Sequence, residues 1–124
     1  MKPKEKGDLA VGQAINYFMS SGYEVCLPIG DKRNWDIIIE KDGILQKVQV
    51  KYAGLYNRGG KCRVGLRITG GNQSYYTARK YTENDFDLLF IYTEKGERYC
   101  IPWPETHVRT ELTVEDIKYQ KYLI

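Results

Sequence analysis

The sequence predicts a single mixed α/β domain, and its length, hydrophobic periodicity and composition all favour this class. A chain of 124 residues can bury one proper core but is short for two domains. Its first segment repeats apolar residues with a helical period, whereas later segments are rich in β-formers or alternate apolar with polar residues. The 11 tyrosines also favour strands and contact-making surfaces. We therefore expect an N-terminal helix followed by a sheet.

The first predicted elements are a helix over residues 8–21 and a strand over residues 23–29. Apolar residues of the helix recur every three or four positions, and Gly22 follows its last turn, where glycine commonly ends a helix. Asp8 is of a residue type preferred as a helix cap, which is one interpretation of its position. Residues 23–29 are β-forming, and a turn with the basic pair Lys32 and Arg33 follows them.

A β-hairpin is predicted over residues 35–52. Residues 35–40 have a continuous apolar centre, which is typical of a strand covered on both faces. After a turn at residues 41–43, Val48 and Val50 alternate with Lys47, Gln49 and Lys51. The second strand therefore has one apolar face and one polar, cationic face.

The second half of the chain predicts further strands and a short C-terminal helix. A loop at residues 54–60 precedes a strand over residues 61–69, one face of which carries Arg63, Gly65 and Arg67. Residues 70–74 form a flexible connection to the tyrosine-rich stretch 75–81, and residues 87–101 form a hairpin that turns at 94–96. Residues 102–104 end the pairing, and Thr113 is expected to cap a helix over residues 114–122.

Composition argues against a membrane protein and a zinc protein. No segment approaches the roughly 18 apolar residues of a membrane span, and residues 1–6 lack the apolar stretch of a signal peptide, so we expect a cytoplasmic protein. Cys26, Cys62 and Cys100 are odd in number and widely spaced, and His107 is the only histidine, which does not match a zinc pattern. We expect the cysteines to be reduced residues in or near the core.

The charge distribution indicates a polyanionic partner. The formal net charge is only +3, but residues 43–82 contain no acidic residue. The basic residues of this stretch are Lys47, Lys51, Arg58, Lys61, Arg63, Arg67, Arg79 and Lys80. Such clustering is typical of nucleic-acid binding, although a solvated basic face without a partner has the same composition.

The predicted hairpin brings together groups suited to phosphodiester hydrolysis. This reaction needs a divalent metal to neutralise charge and activate water, and usually a cation to stabilise the phosphorane. Asp36 begins one strand, while Gln49 and Lys51 share a face of the other and the Val50 carbonyl is available as a backbone ligand. Two structural interpretations stay open: Asp36 as a surface acid beside a turn, and Lys51 as an exposed lysine on a sheet edge.

Several short motifs, in their order and spacing, resemble those of the PD-(D/E)XK nucleases, which include restriction endonucleases and archaeal Holliday-junction resolvases. The likeness extends over residues 6–104 and is strongest to the small group I intron-associated homing endonucleases of the cyanobacterial type. The matching segments are Lys6-Gly7-Asp8, Gly22-Tyr23-Glu24-Val25, residues 28–30, Trp35-Asp36-Ile37-Ile38, Val48-Gln49-Val50-Lys51, Asp85-Phe86-Asp87 and residues 99–102.

This resemblance implies a restriction-endonuclease-like core with a mixed central sheet flanked by helices, and a metal-dependent endodeoxyribonuclease. Asp36 would be the metal-binding acid, Gln49 would occupy the place of the second acid, and Lys51 would be the catalytic lysine. The implied metal is Mg²⁺, which Mn²⁺ can replace, with Asp36 and the Val50 carbonyl among its ligands. The product would carry its phosphate on the 5′ side.

The first helix departs from the pattern of the family. Many relatives carry a glutamate about one turn after the Lys-Gly-Asp motif, where this chain has Val11, Gly12 and Gln13. Either Asp8 takes over as a metal ligand, or Gln13 replaces a catalytic glutamate, which would weaken cleavage and preserve DNA binding.

The basic middle of the chain is the predicted DNA-binding surface. The strand over residues 61–69 is expected to lie in a groove of the duplex with Arg63 and Arg67 facing DNA. Further contacts are expected from Lys32, Arg33, Arg58, Lys61, Asn72, Gln73, Tyr75, Tyr76, Arg79 and Lys80. The tyrosines have an alternative interpretation as packing residues.

The sequence thus predicts a site-specific homing endonuclease acting on double-stranded DNA. Because one chain offers one active site and duplex cleavage needs two, we expect a homo-oligomer, either a dimer or a tetramer, with residues 106–124 as a candidate interface. A Holliday-junction resolvase and a catalytically impaired DNA-binding module are the alternatives.

Overall fold

The fold was obtained as a computed structural model, which describes residues 1–56, 59–68, 79–106 and 110–124, with residues 67, 68 and 79 described by their backbone alone. The elements are α1 (Pro3–Ser20), β1 (Glu24–Cys26), β2 (Ile37–Lys41), β3 (Ile44–Tyr56), β4 (Lys61–Gly65), β5 (Arg67–Ile68), β6 (Arg79–Lys80), β7 (Leu88–Thr93), β8 (Arg98–Pro102) and β9 (Glu111–Thr113), with 3-10 helices at Trp103–Glu105 and Ile117–Tyr122. Within the described ranges, no helix has the length and apolarity that a bilayer crossing requires.

The long strand β3 organises a seven-stranded mixed sheet. Strands β1, β2, β3, β4 and β9 pair in that order and antiparallel, while β7 pairs with β3 in parallel and with β8 in antiparallel orientation. Strands β5 and β6 form a separate two-stranded sheet. The predicted α/β class with a mixed central sheet is confirmed.

Helix α1 begins five residues earlier than predicted. Pro3 occupies its first position, where the fixed φ of proline suits a helix and the missing N–H is not needed. The Glu5 side chain accepts a hydrogen bond from the Lys2 N–H at 3.2 Å, which caps the N-terminus of the helix. The interpretation of Asp8 as a helix cap is therefore wrong, because Asp8 lies within the helix.

The predicted helix end is confirmed. Gly22 has φ of 90° and donates its N–H to the Met19 carbonyl at 3.1 Å, and Tyr23 donates to Phe18 at 2.9 Å. These two bonds and the 5.5 Å contact between the Phe18 and Tyr23 rings form a Schellman ending, in which glycine supplies the left-handed residue.

The hairpin of β2 and β3 is also confirmed, with a two-residue turn. Lys41 pairs with Ile44, and the turn residues Asp42 and Gly43 both have positive φ, as a type I′ turn requires. Strand β3 continues to Tyr56, well past the predicted end at residue 52, so the predicted loop at 54–60 is partly strand.

Two apolar clusters cover the two faces of the sheet. On one face, Ala10, Ala14 and Phe18 of α1 pack against a surface that includes Val48 and Phe90. The other cluster is larger, because it contains residues of β4, β7, β8, β9 and both 3-10 helices, among them Leu89, Ile91, Tyr99 and Trp103. Alternation along β7 assigns its successive side chains to opposite clusters.

The predicted strand over residues 61–69 is interrupted at Leu66. Val64 and Leu66, on the face opposite Arg63 and Gly65, are buried, but β4 is inserted between β3 and β9, whereas β5 pairs with β6. Residues 69–78, with most of the tyrosine-rich stretch, lie outside the described residues. The hairpin of β7 and β8 agrees with the prediction.

The C-terminal segment differs from its prediction. Thr113 ends strand β9 and does not cap a helix, and within residues 110–124 the helical part is the 3-10 helix Ile117–Tyr122. The reason is that Leu112 pairs with Val64 and, like Val114, enters the core, which imposes a strand period of two residues.

Candidate active site

The hairpin register places Asp36 beside Gln49. Ile37 pairs with Val48, and the Asp36 N–H extends this ladder with a 2.8 Å hydrogen bond to the Val48 carbonyl. Because side chains alternate along a strand, Gln49 and Lys51 point to the face opposite Val48 and Val50. The structure therefore brings together the acid, the amide and the ammonium that the sequence singled out.

The Asp36 carboxylate is part-buried and anchored to the backbone of β3. Its Oδ2 accepts a 2.8 Å hydrogen bond from the Val50 N–H. Burial raises the pKa of Asp36 above its usual range, against the opposing effects of the Val50 N–H and the Lys51 charge. The alternative interpretation of Asp36 as a surface acid is wrong, since its side chain is directed onto β3.

Lys51 lies in the middle of the sheet. Strand β7 pairs with β3 at this point, with Lys51 opposite Ile91, so the interpretation as an exposed edge lysine is wrong. Lys51 is half-buried, and its Nζ lies 5.3 Å from the centre of the Tyr81 ring. Gln49 is only 8% exposed.

A groove of about 470 Å³ lies between the first turns of α1 and strand β3. Its lining residues are Pro3, Lys6, Gly7, Val50, Lys51, Tyr52 and Gly54. The groove adjoins the Asp36 site at Val50, and Lys6 is the lysine on its helical wall, whereas the Lys51 side chain points to the other face of β3.

A carboxylate that sequence reasoning did not assign to the site fixes the surrounding loops. Asp85 accepts hydrogen bonds from the Asn34 side chain at 3.0 Å and from the Thr82 N–H at 2.6 Å. Asn34 is two residues before Asp36, and Thr82 follows Tyr81, so Asp85 connects the loops that carry both neighbours of the site. Its place in the Asp85-Phe86-Asp87 motif was the available signal.

The two candidates on the first helix occupy different positions. Asp8 is exposed, whereas Gln13 is half-buried and lies seven residues after Lys6, which puts both on one side of the helix. Val11 packs against the cluster under α1. Across the described ranges, no group of three or more His, Cys, Asp and Glu side chains is close enough to hold a metal ion.

The predicted DNA contacts are only partly described. Lys32, Arg33, Lys61 and Lys80 are exposed. Arg63 is half-buried: its guanidinium lies 3.8 Å from the Tyr56 ring centre and 3.2 Å from the Glu111 carboxylate. The side chains of Arg58, Arg67, Asn72, Gln73, Tyr75, Tyr76 and Arg79 lie outside the described ones, although the backbone pairs Arg67 with Lys80.

A mixed sheet with a helix on one face, an acid directly before β2 and a lysine on the adjacent strand β3 make up the arrangement expected of a nuclease core. Residues 1–122 match the family model of the PD-(D/E)XK endonucleases, and the chain belongs to this family. The resemblance stated from the sequence is therefore confirmed.

Two individual proteins show the same relationship. The structure is similar to that of the bacterial homing endonuclease I-Ssp6803I, with a TM-score of 0.84 and 31% identity, over 99% of this chain and 89% of that protein. The chain is also 28% identical over 97 residues to Protein 5.3 of Escherichia phage T7, a match that covers 78% of this chain and 77% of that protein.

Proposed function

We propose that the protein is a site-specific endonuclease that hydrolyses phosphodiester bonds of double-stranded DNA with the help of a divalent metal ion. The observation that carries this proposal is the part-buried Asp36 carboxylate on the Val50 N–H, next to Lys51 on the central strand. Membership of the endonuclease family and the similarity to a homing endonuclease support it.

The donor set fits a weakly held Mg²⁺ or Mn²⁺ ion. The Asp36 carboxylate, the Gln49 amide oxygen and the Val50 carbonyl are hard oxygen donors, which both ions prefer. Asp36 is the one of these groups that can carry negative charge, and burial opposes its ionisation, so a cation beside it would be favourable. When bound, the ion supplies charge neutralisation and activation of water.

The remaining roles belong to residues of the chain. The Lys51 ammonium is placed to stabilise the negative charge that accumulates on phosphate oxygens during attack. The Val50 N–H fixes the direction of the Asp36 carboxylate. Gln49 is buried on the same face as Lys51. Its amide can orient a bound group by hydrogen bonding, and it adds no charge. As the family's mechanism implies, the product would carry its phosphate on the 5′ side.

Duplex cleavage requires two such sites, so the proposal includes a homo-oligomer, a dimer or a tetramer. Intron homing is part of the proposal on the strength of the similarity to I-Ssp6803I.

A second candidate function is a catalytically impaired DNA-binding module. It is favoured by Gln13, which cannot supply the negative charge of a glutamate, and by the lack of a three-residue acidic cluster among the described residues. In that case the basic surface would bind DNA, and the Asp36 site would not cleave it.

Plasmid nicking in the presence of Mg²⁺ tests the proposal. The wild-type chain should nick supercoiled plasmid, Lys51→Ala should lose about 100-fold or more of this activity, as removal of a transition-state electrostatic contact does elsewhere, and EDTA should abolish it. Gln13→Glu should nick faster than the wild type, because a second carboxylate increases metal affinity.

The controls separate the two candidate functions. Lys51→Ala purified in parallel serves as the test for a contaminating nuclease. A wild type that binds duplex without nicking it, while Gln13→Glu nicks, identifies the impaired module. A protein that does not bind duplex DNA even at low salt rules out both.

A further inference from the structure

We propose that the groove between α1 and β3 is a binding subsite for a backbone phosphate of the DNA, next to the scissile one, with Lys6 as its cation and Gly7 as the point of closest approach. This inference rests on the proposed function, since it assigns DNA as the ligand. Neither Lys6 nor Gly7 was part of the DNA-binding surface predicted from the sequence.

The first observation is the placement of Lys6. It lines the groove on the helical wall, opposite the wall formed by β3. Lys6 is half-buried, and its Nζ lies 5.6 Å from the centre of the Tyr52 ring, which itself packs edge-on against Tyr92 at 6.1 Å. A lysine held over an aromatic ring has fewer conformations to lose on binding an anion than a freely solvated one.

The second observation is the charge of the groove. Among the described residues that line it, two are lysines and none is acidic. Two acids lie next to lining residues: the Asp36 carboxylate accepts the Val50 N–H at 2.8 Å, and a Cβ added at Gly54 would lie 3.9 Å from the Glu94 carboxylate. Because the Lys51 side chain points to the face of β3 that is turned away from α1, Lys6 is the lysine whose ammonium the groove offers to an anion.

The third observation is Gly7. A glycine inside a helix destabilises it relative to alanine, yet a Cβ added at Gly7 would meet no protein atom within 4 Å, and its φ is not positive. Neither packing nor backbone conformation of the protein explains the glycine. Gly12 is open in the same way, but of the two only Gly7 lies in the wall of the groove, where a ligand could approach the bare helix backbone closely.

These features together fit a phosphate. An ammonium is a compact donor suited to a single phosphate oxygen, and a bare backbone segment lets the sugar–phosphate chain come close. Lys51 serves the scissile phosphate in the proposed mechanism, and the groove adjoins the same site at Val50, so Lys6 would contact a neighbouring phosphate of the same strand.

Duplex binding of five variants tests the subsite, and α1 itself provides the matched controls. Lys4 has the same charge and is exposed outside the groove, and Gly12 is a second helical glycine with open space around it. Binding of a fluorescent 30-base-pair duplex is measured by anisotropy in EDTA over a series of salt concentrations.

Lys6→Gln should weaken binding about tenfold at low salt and reduce the slope of log K against log salt by about 0.9, the loss of one phosphate contact. Lys6→Arg should restore most of the binding, and Lys4→Gln should stay within about twofold of the wild type. Gly7→Ala should raise the Tm but weaken DNA binding, whereas Gly12→Ala should raise the Tm and leave binding unchanged.

Two outcomes overturn the subsite while the proposed function stands, both with a wild type that binds and nicks DNA. In the first, Lys6→Gln binds the duplex with the same affinity as Lys4→Gln. In the second, Gly7→Ala binds the duplex as tightly as the wild type. A wild type that does not bind the duplex overturns the subsite and the proposed function together. Thermal unfolding followed by circular dichroism checks that Lys6→Gln is folded.

Discussion

At the scale of single residues, two carboxylates show how the same chemical group is adapted to different purposes. Burial raises the pKa of Asp36 and outweighs its hydrogen bond to Val50. Partial burial also opposes ionisation of Glu115, but the Cys62 N–H at 2.7 Å and the Lys95 ammonium at 3.1 Å outweigh it, so the pKa of Glu115 lies below its usual range. A cation beside Asp36 would stabilise its ionised carboxylate, whereas Glu115 is already stabilised by the Cys62 N–H and the Lys95 ammonium.

Glu115→Gln should therefore lower the free energy of unfolding at neutral pH. A carboxyl whose pKa is depressed in the folded state stabilises the fold above its unfolded pKa, and this contribution disappears as the pH falls through the folded pKa. We expect the variant to have a lower Tm than the wild type at pH 7 and an equal Tm at about pH 2. Equal Tm values at both pH values would show that the contacts of Glu115 contribute nothing.

At the scale of elements, the loop between β6 and β7 positions the lysine of β3. Tyr81 at its start faces Lys51 and is fixed by edge-on packing on Phe86 at 5.1 Å and on Trp103 at 6.2 Å. The Trp103 indole N–H donates to the Thr82 carbonyl at 2.9 Å, which anchors the same loop. The sequence assigned no role to Tyr81, which the structure places in the larger core cluster, while Tyr75 and Tyr76, for which DNA contact and packing were the alternatives, lie outside the described residues.

Tyr81→Leu should lower kcat for nicking about 3- to 30-fold without changing KM, because it removes a cation–π contact worth about 0.5–2 kcal/mol. Tyr81→Phe keeps the ring and should retain activity. The ring-current shift of the Lys51 side-chain protons should be present in Tyr81→Phe and absent in Tyr81→Leu.

Phe86→Leu is the matched control for Tyr81→Leu, since Phe86 belongs to the same aromatic cluster and packs on Tyr81. If Phe86→Leu reduces kcat as much as Tyr81→Leu, the effect is one of general packing, and the positioning role of Tyr81 is refuted.

At the scale of the whole molecule, the C-terminal segment completes the fold. Strand β9 adds to the sheet next to β4, and Leu112, Val114 and Tyr119 are buried in the larger cluster. Near the end of the chain, Leu123 forms a β-bridge with Tyr99. The segment still presents an exposed apolar side chain, Ile117, at 87% exposure, next to a cleft that includes Arg63 and Tyr56.

If residues 106–124 form the predicted oligomer interface, Ile117→Asp should convert the protein to a monomer. A single exposed substitution changes folding stability by less than about 0.5 kcal/mol, so the Tm of the monomer fold should be nearly unchanged. Light scattering coupled to size exclusion measures the mass, and Ile44→Asp, at an exposed residue of the β2–β3 hairpin, is the control. An oligomer unaffected by Ile117→Asp would place the interface elsewhere.

The sequence by itself determined the local parts of the site. The turn predicted at residues 41–43 and the alternation after it fixed the hairpin, and the hairpin alone places Asp36 beside Gln49, because these partners are only 13 positions apart along the chain. The end of α1 at Gly22 was equally local. Each depends on neighbours within one hairpin or one helical turn, where periodicity and turn chemistry are sufficient.

Only the tertiary structure decided what surrounds that hairpin. The parallel pairing of β7 with β3 makes Lys51 a central residue, the bond from Asn34 to Asp85 joins two loops, and the groove between α1 and β3 places Lys6 opposite Val50. These contacts join residues about 40–50 positions apart, and no local pattern encodes such pairings. The late strand β9 was missed for the same reason, since its partner β4 lies far back in the chain.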